Sequence, residues 1–231
     1  MVKNCVKESD WIYLLRKCLY NSYEEFPFEV EESLLSTALI KLIKNKKVNI
    51  TSILNYNYDN IFELLLKENN LAYSVEWREK TGRKKQGFKV YHPHGYLPLE
   101  GGGVSSIILS EEDYQNESFN TNNWSNHIQN ICFSKGSCIF IGVSMTDPNL
   151  RRLLKISSST TEYKHFVFLP SEINKNAAQM MYDSLFDHDL QRLGVECIRY
   201  PLKDEPESHF NLCFLLKLLD LVANNKLKLF K

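Results

Sequence analysis

The stretch Cys138–Ser144, with the sequence CIFIGVS, is the clearest buried strand in the chain. A continuous apolar run of this kind is typical of a strand that is covered on both faces, as in parallel sheets. Asp147-Pro148 follows closely and predicts the start of a helix, with the aspartate as its cap and the proline in its first turn. A buried strand that leads into a helix is the unit from which α/β folds are built.

The same order of strand and helix recurs along the chain. The run 48–54 is rich in β-branched residues and predicts a strand that enters a polar turn at Asn55. Leu71–Trp77 and Phe88–Tyr91 predict two strands, joined by an exposed hairpin over Glu79–Gly87. Further strands are predicted over Ser105–Leu109, His165–Leu169 and Val195–Tyr200.

Segments with helical spacing of apolar residues separate these strands. They are Glu31–Lys44, Ile61–Leu66, Trp124–Phe133, Glu172–Arg192 and His209–Asn224. The alternation predicts an α/β fold with a Rossmann-like, mainly parallel sheet and helices on both faces. We expect a single domain over residues 1–231, with a helical lead-in at 1–47, a core at 48–200 and a closing helix at 201–231.

Composition excludes several classes of protein. The 231 residues include 28 basic and 28 acidic side chains, and this balance argues against a protein dedicated to nucleic acid or to membrane surfaces. The six cysteines contain no close pair, which predicts free thiols in a reducing cytoplasm and no metal site. The apolar runs are too short to span a membrane, so a cytoplasmic protein is expected.

Polar clusters follow three of the predicted strands. They are Asn55–Asn60, His92–Gly95 and Gly142–Asn149. In open parallel sheets, ligands bind where the carboxyl ends of the strands and their loops converge. We therefore expect the three clusters to meet at one cleft.

Each cluster also has a purely structural interpretation. Asp59 is a suitable cap for the helix that follows it, and Asn57 is suited to a turn. A histidine followed by glycine, as at His94-Gly95, is common in turns, and Asp147-Pro148 is a helix start in any case. No single cluster decides between these interpretations, whereas their order and spacing are more informative.

That order resembles the sirtuin-like domains common in bacterial defence proteins. Asn55–Glu63 (NYNYDNIFE) resembles their T-x-N-Y-D-x-x-x-E signature, although Asn55 stands where the family has threonine. His92–Leu97 (HPHGYL) is similar to their H-x-H-G-x-L block, and Leu109–Tyr114 (LSEEDY) to L-S-E-x-D-Y. Phe140–Leu154 (FIGVSMTDPNLRRLL) resembles F-I-G-x-S-x-x-D-x-N-I-R-R-L-L almost throughout.

The resemblance implies an NAD glycohydrolase in an anti-phage or stress defence system, with NAD as the substrate and with Asn57 and His94 as the catalytic pair. The other matched positions are implied to bind NAD: Tyr58, Asp59, Gly142 and Ser144. An asparagine amide can orient a water or a ribose hydroxyl, and an imidazole can accept the proton as that oxygen attacks. Chemistry alone does not separate His92 from His94 as the base, but the position beside Gly95 fits the family better.

Two departures from the family leave alternatives open. Leu97–Ser137 contains only Cys132, so the paired cysteines of the zinc ribbon in protein deacylases are absent and deacylation is disfavoured. Met1–Lys47 contains no glycine, so the first strand and the G-A-G-x-S turn that cradles the pyrophosphate are expected to be missing. A homo-oligomer or a partner chain would then supply that segment. The alternative is a catalytically degenerate subunit that binds or regulates a partner.

Overall fold

A computed structural model describes residues 8–25, 34–78, 88–100, 107–120, 123–202 and 209–226. The helices are α1 (Glu8–Glu25), α2 (Leu34–Lys44), α3 (Ile61–Glu68), α4 (Glu111–Phe119), α5 (Trp124–Lys135), α6 (Pro148–Thr160), α7 (Ala177–Gln191) and α8 (Phe210–Ala223). The strands are β1 (Ser52–Leu54), β2 (Tyr73–Glu76), β3 (Phe88–Tyr91), β4 (Ile139–Phe140), β5 (His165–Ser171) and β6 (Val195–Pro201). The chain divides into two compact units, Met1–Asn120 and Thr121–Lys231.

The first unit contains a three-stranded sheet in the order β1-β3-β2. Both outer strands pair in parallel with β3, so all three strands end at the same edge. The core on this sheet is formed by Ile40 of α2, by Leu65 and Leu66 of α3, and by Val90 at the centre of β3. The apolar faces of α2 and α3 therefore cover the central strand, and the polar turns follow at its carboxyl end.

The predicted hairpin between β2 and β3 is wrong. The register pairs Tyr73 with Phe88 and Glu76 with Tyr91, so the two strands run in the same direction. Alternation of side chains predicts a strand but carries no information about its direction, because it has the same period in parallel and antiparallel pairs. Residues 79–87, where the hairpin tip was expected, lie outside the described residues.

The second unit contains another three-stranded parallel sheet, in the order β4-β5-β6. The central strand β5 pairs along its whole length with β6, from His165 opposite Val195 to Ser171 opposite Pro201. Leu150, Leu153 and Leu154 of α6 are fully buried, as are Val167 and Val195 in the sheet. The predicted apolar face of the Asp147-Pro148 helix is thus the face that enters the core.

Several predicted elements are shorter than expected. Pairing of the strand predicted over Cys138–Ser144 is limited to Ile139–Phe140, because the chain turns at Gly142 with a φ of 68°. The helix predicted from Glu172 begins at Ala177, since Asn176 and Gln179 form a reciprocal capping box at that point. The strand predicted over 48–54 is paired only from Ser52.

The strand predicted over Ser105–Leu109 is wrong within the described residues. Ile107–Leu109 belong to no strand, and the Ile108 amide instead donates to the main-chain oxygen of His94 at 3.1 Å. Residues 105 and 106 lie outside the described part of the chain. An apolar run that ties down a neighbouring loop has the same composition as a strand, and the sequence does not separate the two.

Parallel sheets flanked by helices confirm the predicted α/β, Rossmann-like class. The single-domain organisation and the missing first strand stay predictions. Within the ranges given above, no helix is both long enough and apolar enough to cross a membrane.

Candidate active site

The turn after β1 is built by its own asparagine and aspartate side chains. The Asn55 amide donates to the Tyr91 carbonyl at 2.8 Å, which extends the pairing of β1 with β3 by one residue. Oδ1 of Asn55 accepts the Asn57 amide at 3.1 Å, and Oδ1 of Asp59 accepts the Ile61 amide at 3.0 Å. These bonds between side chain and main chain are typical of Asx turns. The side chain of Asn57 is exposed at the top of the turn.

Asp59 therefore has a structural task at the start of α3. Its carboxylate holds the first amide of the helix, while Asn60 makes no side-chain capping bond there. The structural interpretation of Asp59 as a helix-start residue is confirmed. Its predicted contact with NAD stays a prediction.

The loop after β3 is joined to the turn after β1. The His92 amide donates to the Glu76 carbonyl at 2.9 Å, and Gly95 takes a φ of 115°, which favours glycine. Two residues further, the Leu97 amide donates to the Tyr58 carbonyl at 2.7 Å. The turn that carries Asn57 and the loop that carries His94 thus share a main-chain hydrogen bond.

His92 lies in the interior, and neither of its ring nitrogens faces solvent. Its side chain is fully buried. Nδ1 lies 2.8 Å from the main-chain oxygen of Asn57, and Nε2 lies 2.5 Å from Oε1 of Glu63, so both ring nitrogens are engaged. His94, by contrast, is partly exposed, and its role as the base stays a prediction.

Aromatic rings surround His94. The ring of Tyr56 meets the imidazole edge-on at 4.9 Å, and the ring of Tyr114 lies edge-on at 5.8 Å. Tyr114 is held on α4, whose start is closed by a reciprocal capping box between Ser110 and Asp113. The LSEEDY motif therefore serves to place an aromatic ring beside the histidine of the preceding motif.

Tyr58 is directed into the same loop cluster. Its hydroxyl donates to the main-chain oxygen of Ile108, whose amide bonds to His94. Burial raises the pKa of Tyr58, and the nearby Asp113 raises it further, so the hydroxyl remains a donor at neutral pH. The predicted contact of Tyr58 with NAD stays a prediction.

In the second unit, the turn after β4 leaves the sheet in an unusual conformation. Gly142 has a φ of 68° with open space where a Cβ would lie, and the buried Met145 has a φ of 61°. Ser144 is exposed, and its hydroxyl lies 2.7 Å from that of Thr146. Oδ1 of Asp147 accepts two amides at the start of α6, which confirms its capping role. Gly142 and Ser144 stay predicted contacts for ADP-ribose.

Comparison with known proteins bears on this arrangement. Residues 51–190 match the family model of the SIR2-like domain. The chain belongs to the SIR2-like domain family. It is also 27% identical over 155 residues to the NAD(+) hydrolase ThsA of Bacillus cereus (strain MSX-D12), an alignment that covers 62% of this chain and 32% of that protein. The chain thus spans about a third of the length of this relative.

The SIR2-like match begins at residue 51, yet α1 lies upstream of it and reaches both loops of the site. The hydroxyl of Tyr20 accepts the Asn60 amide at 2.9 Å and lies 2.7 Å from the Leu97 carbonyl. Nε of Arg16 donates to the Pro98 carbonyl at 2.9 Å. Helix α1 therefore joins the start of α3 to the loop beyond His94.

Sequence reasoning missed three residues that shape this SIR2-like site. Glu63 stood in the quoted signature, but its task depends on His92, 29 residues away in the chain. Tyr114 likewise stood in a motif without a role. Tyr20 belongs to none of the quoted motifs. Its burial, which only the structure reveals, identifies it as a residue that shapes the site.

Proposed function

We propose that this SIR2-like protein is an NAD glycohydrolase that cleaves the bond between nicotinamide and ribose, with Asn57 and His94 as its catalytic pair. The observation that carries the proposal is the union of two strand-end loops at one edge of a parallel sheet. One loop exposes Asn57, the other partly exposes His94, and the ring of Tyr56 contacts that of His94. The similarity to a protein named NAD(+) hydrolase supports the choice of substrate.

The chemistry follows from the bond that breaks. The electron pair of the bond between ribose and nicotinamide moves to the pyridinium nitrogen, which leaves as neutral nicotinamide, and positive charge develops on the ribosyl carbon. The Asn57 amide both donates and accepts, so it can orient a water towards that carbon. His94 accepts the proton of the attacking water, and ADP-ribose is the second product.

The other predicted contacts complete the proposal. Asp59 binds near the nicotinamide end of NAD, Tyr58 is a further contact with NAD, and Gly142 and Ser144 bind the ADP-ribose portion. The positive φ of Gly142 and the open space beside its Cα suit a close approach of ligand to the main chain. A Gly142→Ala variant is expected to raise KM for NAD with little change in kcat, measured by steady-state kinetics.

The proposal is tested with the purified chain and NAD, by following the release of nicotinamide and ADP-ribose. His94→Ala and Asn57→Ala are each expected to lower kcat about a hundredfold or more, the usual contribution of a general base or a positioning group. His188→Ala and Asn174→Ala change exposed residues of the same types in the second unit and serve as matched controls. No turnover by the chain, alone or with neighbouring gene products, would sink the enzymatic proposal, and turnover unaffected by either substitution would sink the site assignment.

The proposal extends to the cellular role. We propose that the enzyme acts in the cytoplasm in anti-phage or stress defence, as a homo-oligomer or with a partner chain, because its motif order resembles that of defence-associated sirtuin-like domains. Cells expressing the wild type are expected to lose NAD and to limit phage yield on infection, whereas cells expressing His94→Ala are not. Equal phage yields from the two strains would contradict this role.

A further inference from the structure

His92 bridges the site and the interior of the first unit. Its Nδ1 lies 2.8 Å from the main-chain oxygen of Asn57, and its Nε2 lies 2.5 Å from Oε1 of the buried Glu63. We infer that His92 and Glu63 are a positioning pair, which holds Asn57 in its productive orientation by binding its main-chain carbonyl. The inference rests on the proposed NAD hydrolysis for what Asn57 does, and on contacts alone for how Asn57 is held.

The hydrogen bonds determine where the protons lie. A carbonyl oxygen only accepts, so Nδ1 of His92 carries a proton and donates it to Asn57. Two bare acceptors would repel each other at 2.5 Å, so a second proton lies between Nε2 and the Glu63 carboxyl. The pair is neutral as a whole whichever of the two atoms holds that proton. Glu63 thereby keeps the imidazole in a form in which Nδ1 donates towards the site.

The imidazole is prevented from turning away from Asn57. The His92 amide donates to the Glu76 carbonyl at 2.9 Å, which ties its main chain to the end of β2. The ring packs at 4.6 Å from the ring of Tyr96, and Tyr96 in turn stacks on Trp77 at 5.0 Å. The imidazole that reaches Asn57 is therefore held by Glu63, by the main-chain bond to Glu76 and by the ring of Tyr96.

Asn57 is held at both ends of its main chain. Its amide donates to Oδ1 of Asn55 at 3.1 Å, and its carbonyl accepts from His92. With both groups bonded, the direction in which the exposed side chain leaves the turn is fixed. A displacement of about 1 Å at such a group can cost a hundredfold in rate, so the second bond has catalytic consequences.

Simple filling of the core does not account for the pair. Two ionisable side chains in the interior are costly to desolvate, and apolar residues of similar volume fill such space at least as well. Within the described residues, Oε2 of Glu63 makes no hydrogen bond, so the carboxyl is buried for the one contact that it makes with His92. The other ring nitrogen of His92 bonds to the Asn57 carbonyl, so the hydrogen bond of Glu63 connects it to the site.

Two variants separate positioning from packing. His92→Gln keeps an amide that reaches Glu63 but loses the donor to Asn57, whereas His92→Asn combined with Glu63→Leu keeps a donor at the Nδ1 position and leaves no lone carboxyl. We expect His92→Gln to lower kcat for NAD about a hundredfold with KM within about threefold, and the double variant to stay within about tenfold of the wild type. Equal losses in the two variants, or wild-type kcat in folded His92→Gln, would overturn the inference.

Two NMR measurements make the test independent of turnover, and the first of them, on the wild type, is also independent of variant folding. In the full chain labelled with 15N-histidine and 13C, the His92 Nδ1 proton is expected to show a scalar coupling through its hydrogen bond to the Asn57 carbonyl. Amide exchange of residues 55–60 is expected to accelerate in His92→Gln and to stay unchanged in His188→Gln, which alters an exposed histidine of α7. A missing coupling or unchanged exchange overturns the positioning role, while absent NAD turnover with both signals present overturns only the proposed function.

Discussion

His92 and His165 expose 0% and 1% of their surface, one in each unit, yet their surroundings differ in kind. His92 follows the carboxyl end of β3 and is bonded through both ring nitrogens, to the Asn57 carbonyl and to Glu63. His165 opens β5 at its amino end, where Nδ1 accepts the Cys138 amide at 3.1 Å. Within the described residues, Nε2 of His165 makes no hydrogen bond.

The difference shows what burial of a histidine means in such a sheet. Ligands of parallel sheets gather at the carboxyl ends of strands, and His92 lies there with a carboxyl partner. His165 packs edge-on against Phe133 and Phe140, and burial lowers its pKa, so it behaves as a neutral ring in an aromatic core. Position in the sheet and the partners of both nitrogens separate a positioning histidine from a packing one.

The largest effect is expected for His92→Leu. This change removes both ring bonds and leaves the Glu63 carboxyl buried without its partner, and breaking a buried ionisable pair from one side costs about 3–5 kcal/mol. The free energy of unfolding from urea titration, with amide exchange in β3 as the report on the first unit, measures the loss. The double variant with Glu63→Leu is expected to recover part of it, and a loss below about 1 kcal/mol in the single variant would erase the contrast with His165.

Tyr20→Phe is expected to give the next largest loss. It deprives the Asn60 amide and the Leu97 carbonyl of their shared hydroxyl, and buried groups left without a partner cost about 1–3 kcal/mol. The same urea titration measures it. Tyr13→Phe changes an exposed tyrosine on the same helix and is the matched control, and equal effects of the two changes would show that the bridge contributes nothing.

His165→Leu is expected to cost less than either, about 1 kcal/mol. The change leaves only the Cys138 amide without its acceptor. It also removes a buried ring nitrogen that has no hydrogen bond among the described residues. Amide exchange in β5 and β6 reports on the second unit. If His165→Leu proved as damaging as His92→Leu, burial alone would decide the cost and the comparison would fail.

The smallest expected effect is on how the stability of the second unit depends on pH. Because burial lowers the pKa of His165 below its ordinary 6.5, the unfolded chain takes up a proton first as the pH falls. The stabilising contribution of the neutral ring is complete above pH 6.5 and is lost as the pH falls below it. We expect the difference in unfolding free energy between the wild type and His165→Leu to become smaller as the pH is lowered from about 7 to about 5. A gap that stays constant over that range would contradict the neutral-ring interpretation.

Local sequence pattern predicted the strand-end loops of the candidate site but not the contacts that support them. A strand followed by polar residues is visible over a few positions, so the sequence placed Asn57 and His94 in loops after two strands and placed a helix start at Asp147. The predicted direction of β2 relative to β3 was wrong, because the alternation of side chains is the same in parallel and antiparallel pairs. Glu63 and Tyr20 act through residues 29 and 40 or more positions away, and such contacts exist only once the chain is folded.

Helix α1 lies outside the residues that match the SIR2-like family model. The SIR2-like match starts at residue 51, so the segment that carries Arg16 and Tyr20 lies outside the common domain while holding the two loops that present Asn57 and His94. Substitutions in that helix would alter its contacts with both loops without changing any residue that matches the family model. An expression fragment that begins at residue 51 would lack the contacts that Arg16 and Tyr20 make with the start of α3 and with the loop beyond His94.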